Sequence, residues 1–266
     1  MTANYEKTFW LSTRPKARSR PIIEFDEVVK RFGKRTVLDK ISFQVAESEI
    51  LFILGTSGTG KSVLLKNLVG LLTPDEGKIF IEGEEVSTYS EEQYLPIRKK
   101  CGMVFQHPAL FDSLTIYENI AFGLRKHYQM PDDQIQKRIF DCLQLVNLDN
   151  TVLGKLPSET SYGMQKRISL ARTVAIEPKI LLFDEPTTGL DPVTTNAVNR
   201  LIFNLSRKLK VTSLVVSHDM HCALDIADWI IVLDKGKILM QGSPEELRSS
   251  KDELVREFLA EVIPSA

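Results

Sequence analysis

Short apolar runs alternate with amphipathic segments along most of the chain. The runs have the length of buried strands and occur at Ile50–Leu54, Ile180–Phe183, Ser213–Val216 and Trp229–Leu233. A continuous apolar run is typical of a strand that is buried on both faces of a parallel sheet. Apolar residues recur at helical spacing in Lys61–Leu72, and Thr194–Leu209 is the longest predicted helix. Strands that alternate with helices predict a largely parallel α/β sheet with right-handed crossovers.

Two parts of the chain depart from this alternation. Ile22–Phe25 and Ile41–Val45 alternate in part between apolar and polar residues, and Gly33 lies in a predicted turn between them. This pattern indicates an antiparallel β flank. Between residues 107 and 163 the pattern predicts no clear strand, which indicates a helical subdomain inserted into the core. The helices predicted there are Ile116–Tyr128 and Asp132–Val146.

A glycine-rich segment follows the first buried strand and opens the first predicted helix. It fits the pattern G-x-x-x-x-G-K-[ST] and consists of Gly55, Thr56, Ser57, Gly58, Thr59, Gly60, Lys61 and Ser62. Its glycines let the backbone curl so that successive N–H groups point inward, and the helix start adds partial positive charge. We predict a phosphate-binding loop, in which Lys61 reaches the β- and γ-phosphates and the Ser62 hydroxyl binds Mg²⁺. A purely structural glycine loop is the alternative.

Two adjacent carboxylates stand at the end of another buried strand. Asp184 and Glu185 directly follow Ile180–Phe183. In a protein with a phosphate loop, Asp184 is suited to hold the hydration shell of Mg²⁺, and Glu185 to polarise a water for in-line attack on the γ-phosphate. A strand that ends in two solvated acids is the alternative interpretation, and the phosphate loop upstream argues against it.

His218 directly follows a further apolar strand, in the sequence Val215–Asp219. We expect it to lie at the same sheet edge as the other candidate residues, because each of them follows a strand end. There it would donate a hydrogen bond to the γ-phosphate and sense its presence. A packing role or a helix cap is the alternative for a single histidine.

Composition narrows the class of protein. The formal net charge of the 266-residue chain is −1, so no global positive field recruits nucleic acid or anionic lipid, and we expect no nucleic-acid partner. No stretch approaches the roughly 18–20 apolar residues of a membrane-spanning helix, and the N-terminal segment lacks the apolar core of a signal peptide. The three cysteines match no metal or redox pattern, which favours reduced, buried thiols in a cytosolic protein. They are Cys101, Cys142 and Cys222.

The order of these motifs resembles the ATP-binding cassette (ABC) superfamily over about Ile22–Gly242. The resemblance implies an α/β fold: a P-loop NTPase core of ABC ATPase type with an antiparallel β-subdomain and an inserted helical subdomain. It also implies a homodimer that traps two ATP molecules, with Mg²⁺, between its subunits. The catalytic residues would be Lys61, Gln106, Glu185 and His218. The Mg²⁺ ligands would be Ser62, Gln106 and Asp184.

The resemblance assigns further roles by position. Phe32 occupies the place of the aromatic residue that stacks on adenine, although a turn aromatic packed on the β-subdomain is the alternative. Gln106 matches the glutamine that contacts Mg²⁺ and the attacking water, and that joins the ATPase to the helical insertion and the permease. Ser161 and Gly163 would reach the γ-phosphate held by a second copy. Asp191 matches the loop that crosses to the opposite subunit.

One motif departs from the family pattern. The usual signature is Leu-Ser-Gly-Gly-Gln, and in this chain Tyr162 replaces its first glycine. The tyrosine adds bulk where two subunits would approach closely. Either its ring turns outward, to solvent or to the permease side, or closure of the dimer is impaired. Because Glu185 is retained, we expect the outward ring.

Three segments resemble the ATPase subunits of Mla/Mce-type lipid transporters, namely Leu110–Phe122, Gly163–Arg167 and Ser250–Leu259. This resemblance implies phospholipid transport between bacterial membranes, with a membrane permease, an Mce-type lipid-binding protein and a small accessory subunit. The chain would then lie at the cytoplasmic face of the inner membrane, attached through the permease. Similar leucine-rich stretches occur in amino-acid and sugar importers.

We expect a mobile tail at residues 1–20, the ATP-binding domain at 21–245 with its helical subdomain at about 107–176, and a C-terminal helical extension at 246–266. Two alternatives stay open: the ATPase subunit of an importer or exporter for another small solute, and a weakly hydrolysing, nucleotide-dependent regulatory module. Relatives that act on ribosomes or DNA usually join two cassettes or carry long coiled-coil insertions, and this chain has neither feature.

Overall fold

The computed structural model describes residues 9–10, 21–251, 255, 256 and 259. The predicted tail lies outside the described residues except for Phe9–Trp10, which form a short strand. Most of the predicted C-terminal extension beyond Lys251 also lies outside them, including most of Ser250–Leu259.

The described chain contains both strands and helices. The strands are β1 (Phe9–Trp10), β2 (Ile23–Phe32), β3 (Arg35–Val45), β4 (Ile50–Leu54), β5 (Glu76–Ile81), β6 (Glu84–Glu85), β7 (Cys101–Val104), β8 (Ile180–Asp184), β9 (Thr212–Ser217), β10 (Trp229–Asp234) and β11 (Lys237–Gly242). The α-helices are α1 (Lys61–Leu68), α2 (Glu91–Lys100), α3 (Ile116–His127), α4 (Asp132–Leu145), α5 (Tyr162–Ala175), α6 (Pro192–Leu209), α7 (Met220–Ile226) and α8 (Pro244–Ser249). Short 3₁₀ helices occur at Asn150–Val152 and Pro157–Glu159.

These elements form two compact units. The first unit contains the described residues up to Ile97 and those from Thr212 onward, and the second is Arg98–Val211. None of the helices in the described part of the chain has the length and hydrophobicity that a bilayer crossing requires.

The larger sheet of the first unit has the strand order β1-β11-β10-β4-β9. β4 pairs in parallel with both β9 and β10, whereas β11 runs antiparallel to β10. Every residue of β4 is buried, as expected for a strand covered on both faces. The carboxyl ends of β4 and β9 therefore meet at one edge of this sheet.

The second sheet of the first unit is antiparallel, in the order β3-β2-β5-β6, and confirms the predicted β flank. Its β2 and β3 are longer than predicted and are joined by a turn in which Gly33 has a φ of +60°. The stacked rings of Phe25 and Phe43, 4.7 Å apart at their centroids, hold the two strands together on the buried face. β2 therefore carries Phe32 to the exposed end of a well-packed sheet.

The second unit contains the parallel pair β7–β8 and the inserted helices. Residues of α3, α4 and α5 that recur at helical spacing are buried, such as Ile120, Ile139 and Ile168. α3 begins with a capping box, in which Thr115 and Glu118 satisfy each other's backbone N–H groups. The predicted helical subdomain is confirmed, with each predicted helix ending one residue earlier than expected.

Candidate active site

The glycine-rich loop connects β4 to α1 in the first unit. Gly60 has a φ of +105° and Gly58 one of +82°, in the left-handed region that favours glycine. A Cβ atom on Gly60 would lie 2.8 Å from Leu38 Cδ2 and 2.9 Å from the Val37 carbonyl oxygen, whereas one on Gly58 would meet no atom within 4 Å. Gly60 thus permits close packing beneath the loop, and Gly58 leaves its exposed top open for an approaching phosphate.

The ammonium group of Lys61 lies inside this loop. Its Nζ donates hydrogen bonds to the carbonyl oxygens of Gly55 at 2.7 Å and Thr56 at 3.1 Å. The Thr59 hydroxyl also donates to the Thr56 carbonyl, at 2.9 Å, and tightens the turn. Ser62 is the second residue of α1 and is partly exposed. Together the lysine charge, the loop amides and the helix N-terminus form an environment suited to phosphate oxygens.

His218 stands beside the start of the same loop. Leu54 lies opposite Ser217 in the β4–β9 pair, so the loop and His218 begin at neighbouring strand ends of the first unit. The cap of α7 is Asp219, whose carboxylate accepts a hydrogen bond from the Cys222 N–H at 3.0 Å. The His218 side chain itself is exposed. The helix cap is therefore Asp219 and not His218, and the His218 side chain is not buried in the core.

In the second unit, Gln106 and Asp184 come from neighbouring strand ends. Val104 lies opposite Phe183 in the β7–β8 pair. Asp184 ends β8 and is partly buried, and Gln106 follows β7 by two residues and is exposed. Carboxylate, amide and hydroxyl oxygens are ligands that Mg²⁺ accepts, so the chemistry of Asp184, Gln106 and the predicted third ligand Ser62 fits this ion.

Glu185 is held in an uncommon backbone conformation. Its φ is +49°, in a region that residues other than glycine adopt rarely and that is often enforced at functional sites. The Thr188 hydroxyl donates to Glu185 Oε2 at 3.3 Å, and the Thr188 N–H donates to the Glu185 carbonyl oxygen at 3.3 Å. A carboxylate that is oriented in this way at a strand end is suited to act as a general base.

Phe32 ends β2 at the turn into β3, where it lies opposite Arg35. Its side chain is 47% exposed, so it is not a core aromatic of the β-subdomain. The Lys30 ammonium lies 5.7 Å from the centroid of the ring. An exposed ring at the end of a rigid strand can stack on a planar base.

The signature segment begins α5. Ser161 is the N-cap, and its hydroxyl oxygen accepts a hydrogen bond from the Met164 N–H at 3.3 Å. Gly163 lies in the first turn, where a Cβ atom would come within 3.0 Å of Thr194 Cγ2. The exposed cap and the first-turn N–H groups provide donors for an anion. This geometry suits the γ-phosphate contact that the family resemblance implies for Ser161 and Gly163.

Tyr162, whose ring was expected to turn outward, is partly exposed and contacts its own chain. Its hydroxyl lies 3.3 Å from the Gln106 carbonyl oxygen and 3.3 Å from His107 Nδ1. Lys166, one turn further along α5, donates a hydrogen bond to the same Gln106 oxygen, and its Nζ lies 5.4 Å from the Tyr162 ring centroid. Burial lowers the pKa of Lys166 to about 8. The ring is thus accommodated within one subunit.

Asp191 is the N-cap of α6. Its carboxylate accepts hydrogen bonds from the Val193 and Thr194 N–H groups, both at 3.0 Å, and from the Thr194 hydroxyl at 2.5 Å. These bonds, with the Thr194 hydroxyl as the largest cause, lower the pKa of Asp191. Asp191 therefore caps α6 within its own chain. Its role in a loop that crosses to a second copy stays a prediction.

Supporting residues around these motifs were not predicted from the sequence. Lys166 could have been found, because its i, i+4 spacing places it on the same face of α5 as Tyr162. Thr188 orients Glu185, and Asp75 binds the strand end that carries Phe32, with the Arg31 N–H donating to Asp75 Oδ2 at 2.6 Å. No local sequence pattern connects Asp75 to β2.

The fold and these motifs define an ABC-type ATPase. A sequence model of the family described as ABC transporter matches residues 38–188, and the chain therefore belongs to this family. It is an ATP-hydrolysing subunit of an ABC transporter.

Individual proteins also resemble this chain along most of its length. The chain is 37% identical over 238 residues to the intermembrane phospholipid transport system ATP-binding protein MlaF of Haemophilus influenzae, with 90% of each chain covered. It is also 37% identical over 262 residues to the methionine import ATP-binding protein MetN of Brucella abortus, covering 98% of this chain and 70% of MetN. Among solved structures, the dimeric ATP-binding cassette MJ0796 in a post-hydrolysis state with ADP and Pi has a TM-score of 0.77 and 30% identity, covering 84% of this chain and 98% of MJ0796.

Proposed function

We propose that this chain powers phospholipid transport between bacterial membranes, as the ATPase subunit of an Mla/Mce-type transporter. The observation that carries this proposal is the match to MlaF, which covers 90% of both chains at 37% identity. The equally identical MetN is matched over only 70% of its length. The second candidate function is the import of methionine or of another small solute. It is favoured by the 37% identity to MetN, which equals the identity to MlaF.

ATP would bind through the exposed ring of Phe32 and the curled loop Gly55–Ser62. Phe32 would stack on the adenine, and the loop N–H groups would bind the phosphates. Lys61 would move its ammonium from the carbonyls of Gly55 and Thr56 toward the β- and γ-phosphates. Bound Mg²⁺, held by Ser62, Gln106 and Asp184, would supply charge neutralisation at the phosphates.

Hydrolysis would depend on residues that follow three different strands. Glu185, with its carboxylate oriented by Thr188, would accept a proton from the attacking water. Gln106 would help to orient that water. His218 would donate a hydrogen bond to the γ-phosphate and so detect whether it is present. Loss of this hydrogen bond after cleavage would favour release of the products.

The working unit would be a homodimer, because one chain carries the residues for both halves of a composite site. Ser161 and Gly163 of a second copy would donate hydrogen bonds to the γ-phosphate, and Asp191 would lie in the loop that crosses between subunits. MJ0796, which resembles this chain, is dimeric with ADP and Pi. ATP binding would close the dimer and hydrolysis would reopen it.

An open groove on the helical part of the second unit supports attachment to a permease. It has a volume of about 570 Å³ and is lined by Leu114, Glu118, Phe122, Arg125 and Lys126. The ring of Phe122 in this groove is half-exposed, and its centroid lies 5.0 Å from that of the half-exposed Phe111 ring. Exposed apolar side chains rimmed by charges are typical of protein interaction sites. We assign this groove to a cytoplasmic helix of the permease, which would hold the chain at the inner membrane.

Purification of the tagged chain from solubilised bacterial membranes tests the lipid assignment. We expect a permease, an Mce-type lipid-binding protein and a small accessory subunit to co-purify, with phospholipid in the solvent extract of the complex. Phe122→Asp should lose the permease, and Leu95→Asp, a change at an exposed apolar residue of α2, should retain it. Recovery of a solute-binding receptor in place of the Mce-type protein would support solute import and contradict the lipid proposal.

A further inference from the structure

The loop that contains Gln106 is hydrogen-bonded to α5 along much of its backbone. This glutamine loop, Phe105–Ala109, continues directly from β7. Lys166 donates to the carbonyl oxygen of Gln106, and Arg172 donates to those of Ala109 at 2.8 Å and Pro108 at 3.4 Å. The glutamine loop cannot shift relative to α5 without breaking these hydrogen bonds to its carbonyl oxygens. The glutamine loop and α5 therefore form one rigid part of the second unit.

Tyr162 completes this attachment at the end of α5 that carries the signature. Its hydroxyl contacts both the Gln106 carbonyl and His107, each at 3.3 Å. On another side, its Cε1 atom lies 3.6 Å from the position that a Cβ would occupy on Gly189. Gly189 belongs to the segment between Glu185 and Asp191. The ring therefore lies where the glutamine loop, the signature and this third segment meet within one subunit.

A glycine at position 162 would make none of these side-chain contacts. We propose that Tyr162 is a positioning residue that locks the glutamine loop to the start of the signature helix, so that Gln106 and Ser161 move together during the ATPase cycle. This inference rests on the proposed function in one respect, because the positions of Gln106 and Ser161 affect turnover only if both residues contact the nucleotide. Tyr162 acts through these residues and contacts no reacting atom itself.

Tyr162→Phe tests the lock, because it removes the hydroxyl and keeps the ring. Tyr128→Phe is the matched control, because the Tyr128 hydroxyl also donates to a backbone carbonyl of the second unit, that of Ile176 at 2.8 Å, away from the candidate site. Lys166→Met, which removes the other bond to the Gln106 carbonyl, serves as a second variant. Thermal unfolding of each purified protein establishes that it is folded.

Two measurements are made on each protein: steady-state ATPase kinetics, and amide hydrogen exchange of the peptide that covers Phe105–Ala109. For Tyr162→Phe we expect kcat to fall by about threefold to tenfold and exchange to rise by a similar factor, as the loss of one modest hydrogen bond predicts. We expect the KM for ATP to stay within about twofold, because the residues that bind ATP are unchanged. Tyr128→Phe should match the wild-type protein in both measurements.

The inference would be overturned if Tyr162→Phe had the same exchange rate and the same kcat as the wild-type protein. It would also be overturned if Tyr128→Phe changed both quantities by as much as Tyr162→Phe does. A higher kcat in Tyr162→Gly would also overturn it, because the ring would then hinder the cycle. If Tyr162→Phe raised exchange of the glutamine loop but left kcat unchanged, the attachment of the loop would stand and the proposed roles of Gln106 and Ser161 in hydrolysis would fail.

Discussion

The Asp75 carboxylate accepts a hydrogen bond from the Arg31 N–H at 2.6 Å, directly before the exposed ring of Phe32. Lys30 adds a second contact to Asp75 at 3.3 Å. These interactions, with the Arg31 bond as the largest cause, lower the pKa of Asp75. The carboxylate is therefore charged at neutral pH and fixes the strand end that presents Phe32.

Asp75→Ala should weaken nucleotide binding by releasing this strand end. We expect the Kd for ATP to rise by about threefold to tenfold, since the hydrogen bond from Arg31 and the ion pair with Lys30 are both lost, at a distance from the ligand. Titration with ATP, followed by intrinsic fluorescence or calorimetry, measures the effect. Asp26→Ala, a change at an exposed residue of the same sheet, is the control. An unchanged Kd in Asp75→Ala would show that the strand end does not govern adenine binding.

Lys61→Ala should abolish ATPase activity. The lysine ammonium already lies inside the phosphate loop, within 2.7 Å of the Gly55 carbonyl oxygen, and its loss removes the charge that the phosphates would meet. A colorimetric phosphate-release assay measures turnover. Lys66→Ala, on an exposed face of the same helix, should retain activity. Undiminished turnover in Lys61→Ala would refute the phosphate-loop assignment.

Glu185→Gln should bind ATP but fail to cleave it. The amide cannot accept a proton from water, so we expect turnover to fall by about 100-fold or more. The ATP-bound variant should then accumulate as a closed dimer in size-exclusion chromatography with light scattering. Glu177→Gln is a close control, because Glu177 is also a glutamate with positive φ, at +52°, and its side chain is exposed. Normal hydrolysis in Glu185→Gln would assign water activation to another residue.

The core strands and the phosphate loop could be predicted because their signals are local. Ile180–Phe183 and Ser213–Val216 are continuous apolar runs, and the structure lengthens each by one or two residues. The end of α1 was less predictable. Apolar spacing continues to Leu72, but the helix ends at Leu68 because Gly70 adopts a φ of +69°. The N–H groups of the next two residues bond to the Lys66 carbonyl instead of continuing the helix.

Other features depend on contacts that are distant in sequence. α2 was missed because Glu91–Lys100 is mostly polar and contains Pro96. Its buried residue Tyr94 packs where a Cβ atom on Gly70 would lie 2.4 Å from the ring, a contact that no local pattern reveals. The direction of the Tyr162 ring likewise depends on Gln106, which lies 56 residues earlier. Sequence motifs identified the candidate residues, whereas tertiary contacts decide how each is held.

Asn119→Ala should destabilise the second unit. Asn119 is fully buried, its Oδ1 accepts from the Phe111 N–H at 2.8 Å, and its Nδ2 lies within 3.1 Å of the carbonyls of Phe111, Leu114 and Thr115. Removal of this amide leaves buried backbone groups unpaired, which costs about 2–3 kcal/mol. Urea unfolding measures the loss, with Asn150→Ala at an exposed position as the control. Equal free energies of unfolding for the two variants would show that the backbone groups left by Asn119 form hydrogen bonds with water instead.

Lys166→Met should change the pH dependence of stability in a defined direction. Burial lowers the pKa of Lys166 from 10.5 to about 8, so the unfolded chain binds more protons at this residue between those two values. The contribution of Lys166 to the free energy of unfolding therefore rises with pH through that interval and is lost as pH falls toward 8. Urea unfolding on both sides of the interval should show this rise in the wild-type protein and in Lys137→Met, an exposed lysine of the same unit. Because methionine does not titrate, the rise should be smaller in Lys166→Met. A rise of the same size in Lys166→Met would mean that the ammonium is not desolvated beside Gln106 and Tyr162.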